Sequence, residues 1–214
     1  MTSTTTRKIS GLYAITDHAL LGEEIINAVT AAIKGGASVI QYRDKSKDHA
    51  RRLREANALR QLCHRYHVPL LINDDIELAI AVNADGVHLG QQDGDIIAAR
   101  TRLGAHAIIG VTCHNQLDLA EKAAAEGASY LAFGAIYPSQ SKPQAALCSL
   151  ETIKQAKRQF ELPLVAIGGI SVDNIAPVIA AGATACAVIA NLWQSVDICQ
   201  QAIMLSKEFP PHEQ

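Results

Sequence analysis

The chain has 214 residues, 49% of them hydrophobic and 19% charged, with a net charge of −2. That length suits one domain or a small α/β barrel, and the composition excludes a disordered acidic or basic tail protein. The near-neutral balance gives no bulk electrostatic reason to expect nucleic-acid binding, so any anion must be held by local basic groups.

The chain opens on Met1-Thr2-Ser3-Thr4-Thr5-Thr6, which lacks the apolar centre of a signal peptide. Residues 1–10 are expected to be a flexible lead segment, 11–209 one barrel domain and 210–214 a frayed tail. Apolar and amphipathic segments then alternate. A strand over 11–17 precedes a helix over 23–34, and a strand over 38–43 precedes a long helix over 47–66. Strands over 68–74 and 86–89 are followed by helices over 76–81 and 95–103. The second half continues with strand 107–112, helix 116–126, strand 130–136 and helix 150–159. It ends with strand 164–168, helix 172–181, strand 185–190 and helix 196–207.

Strict alternation implies a parallel sheet, because parallel neighbours need crossover connections. Leu164-Val165-Ala166-Ile167 has no polar alternation, as expected of a strand covered on both faces. Gly36-Ala37-Ser38, Asn83-Ala84-Asp85, Gly127-Ala128-Ser129 and Gly182-Ala183-Thr184 precede the second, fourth, sixth and eighth strands. Each begins with a residue type that closes a helix in the left-handed conformation. Eight units with this recurrence predict a single-domain (β/α)8 barrel. The rival is a doubly wound open sheet, but the Gly-rich turn of that fold is absent after the first strand.

In such a barrel the active site lies at the C-terminal ends of the strands. Polar clusters fall there repeatedly. Gln41, Arg43 and Lys45 alternate along the second strand and so share a face. An inward Gln-Arg-Lys row is costly without an anionic partner. The competing reading turns Arg43 and Lys45 outward to helix carboxylates. Asn73, Asp74 and Asp75 follow the third strand, and Asp93 follows the fourth. Asp74 and Asp93 match the one or two carboxylates that magnesium usually takes. Helix capping competes for Asp75 and Asp93.

Ser139, Ser141 and Lys142 follow the sixth strand, Gly168-Gly169 the seventh, and Ile189-Ala190 closes the eighth. Loops in this part of a barrel often hold a phosphate. Gly169 would admit a close backbone approach, and Ser171 is the candidate cap of the next helix. The pattern therefore predicts two anion-binding regions facing each other across the mouth.

Other residues have plainer readings. Arg51-Arg52-Leu53-Arg54 beside Glu55 reads as a solvated helix face. The odd set Cys63, Cys113, Cys148, Cys186 and Cys199 contains no C-x-x-C pair and reads as packing in a reducing compartment. Cys113 has no local activating base. His88 reads as a hydrogen-bonded barrel histidine. No apolar run reaches the roughly 18 residues a membrane span requires, and the expected location is cytoplasmic.

The motifs together resemble the thiamine phosphate synthase family. They are Gln41-x-Arg43-x-Lys45, Ile72-Asn73-Asp74, Gly86-Val87-His88-Leu89-Gly90-Gln91-x-Asp93, Gly134-x-Ile136-Tyr137-Pro138-Ser139-x-Ser141-Lys142 and Ala166-Ile167-Gly168-Gly169-Ile170. The likeness runs from residue 11 to about 192. It implies coupling of 4-amino-2-methyl-5-hydroxymethylpyrimidine diphosphate with a thiazole monophosphate, giving thiamine phosphate and diphosphate. It implies that Gln41, Arg43, Lys45 and Asn73 hold the pyrimidine diphosphate and that Asp74 and Asp93 ligate Mg2+. Lys142 would contact the diphosphate, and Thr112 takes the place of a serine near the leaving group. Ser139, Ser141, Gly169, Ile189 and Ala190 would surround the thiazole phosphate. The implied partners are these two small molecules, with neither nucleic acid nor membrane, and a homo-oligomer is allowed.

Departures from the family pattern cluster on the thiazole side. Ser139 and Ser141 stand where threonines are usual, Ala190 where a serine is usual, Ala135 where a proline is usual and Cys148 where glycine is common. The rival functions are a thiazole tautomerase using His114 as acid and base, a non-catalytic thiamine-precursor binding protein, and a phosphosugar aldolase barrel. The tautomerase needs neither Asp93 nor a diphosphate clamp, and the aldolase would need a lysine inside an apolar strand. A moving loop is expected after the sixth strand.

Overall fold

Eight parallel strands, each hydrogen-bonded to the next and the eighth to the first, close a barrel. The computed structural model describes residues 9–138 and 146–210. The lead segment before residue 9, the tail from 211, and Ser139, Ser141 and Lys142 with the rest of their expected mobile loop lie outside the described residues.

The order is β1 (Gly11–Ile15), α1 (His18–Leu21), α2 (Ile25–Lys34), β2 (Ala37–Tyr42), α3 (His49–Arg65), β3 (Leu70–Asn73), α4 (Ile76–Ala81) and β4 (Gly86–Leu89). It continues with α5 (Ile96–Leu103), β5 (Ile108–His114), α6 (Leu117–Ala125), β6 (Tyr130–Gly134), α7 (Leu150–Gln159) and β7 (Leu164–Ile167). The last elements are α8 (Ile175–Ala180), β8 (Ala185–Val188), α9 (Ala190–Trp193) and α10 (Ile198–Ser206). No helix among the described residues is long and apolar enough to cross a membrane.

Local chemistry sets the boundaries. Asp48, Asp75, Asp95, Ser149 and Asp197 each accept a backbone N–H in the first turn of the helix that follows. Gly36, Asn83, Gly127 and Gly182 all take positive φ, at 102°, 52°, 91° and 115°, so the recurrence seen in the sequence is a repeated helix-to-strand turn. Two expectations fail. Asn174, not Ser171, stands before α8, and its Oδ1 accepts the Ser171 N–H at 2.8 Å. The eighth strand stops at Val188, so Ala190 opens α9 instead of ending a strand. Both α1 and α9 are four residues long, too short for a helical period to show in sequence.

Two apolar layers result. The larger lies between strands and helices, with Leu12, Ile40, Leu59, Leu70, Phe133 and Ile153 among its fully buried members. The smaller fills the barrel and includes Tyr13, Val39, Leu71, Tyr130, Val165 and Ala187. A buried aliphatic side chain in either layer stabilises by roughly 1.5–3 kcal/mol. Alternation then sends Gln41, Asn73, His88 and Thr112 inward above the smaller layer, toward the strands' C-terminal ends.

Candidate active site

The best-defined cluster joins β2, β3 and the turn after β4. Lys45 Nζ lies 3.3 Å from Asp74 Oδ2. Asn73 Nδ2 donates to the same oxygen. Asp74 has a φ of 62°, a conformation uncommon outside glycine, and its N–H donates to the His88 carbonyl at 2.8 Å. That turn lifts the carboxylate off the strand. Asp93 follows the Gly90 turn, its N–H donating to the Gly90 carbonyl at 3.3 Å. A Cβ at position 90 would run into the Asp93 carboxylate, so glycine there keeps the acid in place. Burial and the Asp74 carboxylate beside it push the Asp93 carboxyl above its usual range, and Lys45 only partly opposes this. Two carboxylates thus share one nearby ammonium.

Gln41 is 2% exposed and donates from Nε2 to the Tyr13 hydroxyl at 2.7 Å. Arg43 lies just past β2, where its N–H donates to Thr16 Oγ1 at 2.9 Å. The Thr16 N–H in turn donates to the Gln41 carbonyl at 2.9 Å. This staple ties the ends of β1 and β2 and fixes where the basic residues leave the strand. Lys45 is therefore paired inside the cluster and not with a helix carboxylate.

Guanidinium groups of α3 and carboxylates of the segments before α3 and α4 form a second tier around it. Arg51 bonds Asp44 at 2.6 Å, and Arg52 bonds Asp75 at 2.7 Å. Arg51 and Arg52 are half-buried, so the solvated-face reading holds only for Leu53 and Arg54. The α3 sequence is uniformly rich in arginine, and periodicity alone could not separate the two that turn inward. Asp75 is taken up by its cap to Leu78 and by Arg52. A cavity of about 550 Å³ opens on this side, lined by Lys45, Asn73, Asp74, Arg52, Glu77 and Arg102 among others.

His18, Asp44 and Glu55 also bring three ligand-type atoms within 4.8 Å of one another. The Arg51 guanidinium already occupies that acidic group, 2.6 Å from Asp44 and 3.7 Å from Glu55. A fixed cation there leaves little field for a metal.

Across the mouth, Gly169 has a φ of 61°, and a Cβ would press on the Pro138 carbonyl and the Tyr137 side chain. The Gly169 carbonyl accepts from Asn174 Nδ2 at 2.9 Å. Ile189 immediately precedes α9, and Ala190 lines a polar cavity of about 290 Å³ with Asn191, Gln194, Ser195 and Gln201. Thr112 sits on β5, where its hydroxyl lies 2.9 Å from His88 Nε2. Cys113 is fully buried and burial pushes its thiol up to about 12, which makes it inert as a nucleophile.

Residues 12–192 match the family model described as thiamine monophosphate synthase. The chain is 50% identical to the thiamine-phosphate synthase of Nitrosococcus oceani, over 94% of each chain. It is 51% identical to that of Alcanivorax borkumensis, over 89% of this chain and 88% of the relative. Among solved structures, the thiamine phosphate pyrophosphorylase of Pyrococcus furiosus superposes with a TM-score of 0.86 at 33% identity, covering 94% of this chain and 96% of that one.

Proposed function

The chain belongs to the thiamine monophosphate synthase family and its activity is thiamine-phosphate synthesis; from that premise we propose how the barrel mouth performs the coupling. The observation that carries the reading is the Lys45–Asp74–Asp93 cluster. It offers hard oxygen donors short of positive charge, next to basic groups suited to a diphosphate.

A magnesium ion fits that cluster. The donors are carboxylate oxygens in the number the ion commonly takes from protein; burial and the Asp74 charge together raise the Asp93 carboxyl, and a divalent cation would offset the second of these. Asp74 and Asp93 would hold the ion, and the chemistry it would supply there is charge neutralisation at the departing diphosphate oxygens.

The chain's own residues do the rest. Gln41 and Asn73 orient the pyrimidine end of the first substrate. Arg43, Lys45 and Lys142 meet the diphosphate oxygens, and the Thr112 hydroxyl supports the leaving group. Ser139, Ser141, the Gly169 N–H, Ile189 and Ala190 surround the phosphate of the thiazole. The carbon–oxygen bond to diphosphate breaks ahead of full bonding, and the thiazole nitrogen attacks the methylene carbon. Such a path depends on charge stabilisation at the departing oxygens more than on a general base. The positive charges of Arg43, Lys45 and Lys142 supply it.

The test is a diphosphate-release assay with the pyrimidine diphosphate and magnesium, with and without thiazole phosphate. Thiamine phosphate formed only when all three are present supports the reading. Tight binding of the pyrimidine diphosphate without product would refute it in favour of a binding role.

A further inference from the structure

Beneath the mouth, side chains from β2, β1, β6, β4 and β5 form one unbroken hydrogen-bonded chain. Gln41 Nε2 donates to the Tyr13 hydroxyl at 2.7 Å. The Tyr13 and Tyr130 hydroxyls are 2.8 Å apart. Tyr130 reaches His88 Nδ1 at 2.8 Å, and His88 Nε2 reaches Thr112 Oγ1 at 2.9 Å.

One set of directions runs unbroken along the chain. An amide nitrogen only donates, so Tyr13 accepts from Gln41, and in this set its single proton goes to Tyr130. Tyr130 then gives its proton to His88 Nδ1. That leaves His88 neutral with the proton on Nε2, donating to Thr112. The Thr112 oxygen is thereby occupied as an acceptor, and its own proton is left to point elsewhere.

The packing favours this geometry at some cost. Tyr13 and Tyr130 are 1% and 0% exposed, so each hydroxyl is costly to bury unless it is hydrogen-bonded. Position 110 is glycine, and a Cβ there would collide with the Tyr130 ring. The missing side chain lets that ring stack on His88, with centroids 5.7 Å apart and planes 20° apart. Burial raises both phenols, so neither hydroxyl gives up its proton in the working range, and the chain carries orientation, not charge.

We propose that Gln41, Tyr13, Tyr130 and His88 form a positioning relay that aims the Thr112 hydroxyl proton at the departing diphosphate. The proposal rests on the leaving-group role given to Thr112 above. Tyr13, Tyr130 and His88 are positioning residues, acting only through Thr112.

Two measurements test it. The first is 15N NMR of histidine-labelled, substrate-free protein, with the His88 signals identified by their loss in His88→Gln. The Nε2–H tautomer is expected in the wild type, and loss of that single form is expected in Tyr130→Phe. An Nδ1–H tautomer in the wild type would overturn the relay, whatever the protein's activity. The second is steady-state kinetics of Tyr130→Phe, Tyr13→Phe and the double variant, each first checked for native circular dichroism. Each single variant should lose about ten-fold in kcat, the worth of one hydrogen bond, with KM for the pyrimidine diphosphate nearly unchanged. The double variant should be no slower than the slower single, since a chain cut once is already cut. Additive losses, or kcat unchanged in both single variants, would reduce the hydroxyls to structural bonds and overturn the proposal. A wild type that makes no thiamine phosphate would refute the proposed function instead, while the NMR result would still decide the tautomer.

Discussion

Lys45 Nζ stands 3.3 Å from Asp74 Oδ2, although the lysine is 60% exposed. An exposed pair of this kind contributes at most about 1 kcal/mol to stability. The diphosphate role proposed above for Lys45 gives its placement at the barrel mouth a use beyond stability. Lys45→Ala is expected to leave the melting temperature within a few degrees of the wild type and to lower kcat/KM for the pyrimidine diphosphate by about 100-fold, the order of one lost charge contact at a developing anion. Thermal melts beside steady-state kinetics check both halves. A large fall in melting temperature with little kinetic loss would assign the pair to the fold.

Asp93→Ala should abolish magnesium-dependent turnover while leaving the barrel folded. It also removes one of two like charges, so the variant should melt no lower than the wild type in the presence of a chelator. Magnesium should raise the melting temperature of the wild type and leave that of the variant unmoved, because ligands stabilise only the state that binds them. Unchanged activity in Asp93→Ala would sink the metal assignment.

Gly110→Ala tests the barrel interior. The added methyl has no room beside the Tyr130 ring. Overpacking of this kind costs about 1–3 kcal/mol. Denaturant titration should show the lower midpoint, and Gly104→Ala is a poor control because Gly104 has a φ of 93°. Ala105→Ser, on an exposed turn, serves better.

The barrel was legible because strand-and-helix alternation and the recurrent Gly or Asn turns are local signals. The polar residues past the strand ends had a similar local signal, since Asp74 and Asp93 follow apolar runs, although helix capping competed with a site role for Asp93. Asp75 caps α4, and Asp95, not Asp93, caps α5. What escaped was set by contacts across the barrel. Tyr13 and Tyr130 are 117 positions apart, and as single aromatics inside apolar strands they look like filler. The inward turn of Arg51 and Arg52 depends on Asp44 and Asp75, which lie on other elements. Such pairings appear only once the strands are in register.

The cysteines give a chemical test. Cys63, Cys113, Cys148 and Cys186 are buried, and Cys199 is partly exposed. Burial raises the Cys63, Cys113 and Cys186 thiols to about 12 and raises Cys148 as well. A thiol reagent at neutral pH should modify about one cysteine per native chain and all five after unfolding. Cys113→Ala should retain turnover, and its loss without a loss of stability would reopen a nucleophilic role.

Acid stability should report on Asp44. Its side chain is 3% exposed, which by itself would raise the carboxyl. The Ser46 N–H and the Arg51 guanidinium overcome that and hold it below its usual value. A carboxyl depressed in the fold stabilises it above the unfolded value, about 3.9, and the benefit disappears as pH falls through the lower folded value. The wild type should thus lose stability across that acidic window. Asp44→Asn should start less stable at neutral pH and show a flatter decline as pH falls below the unfolded value. Urea melts at stepped pH measure this directly. Parallel curves for the two proteins would mean that Arg51 and Ser46 do not depress Asp44, and that the ion pair beside the mouth contributes nothing to acid sensitivity.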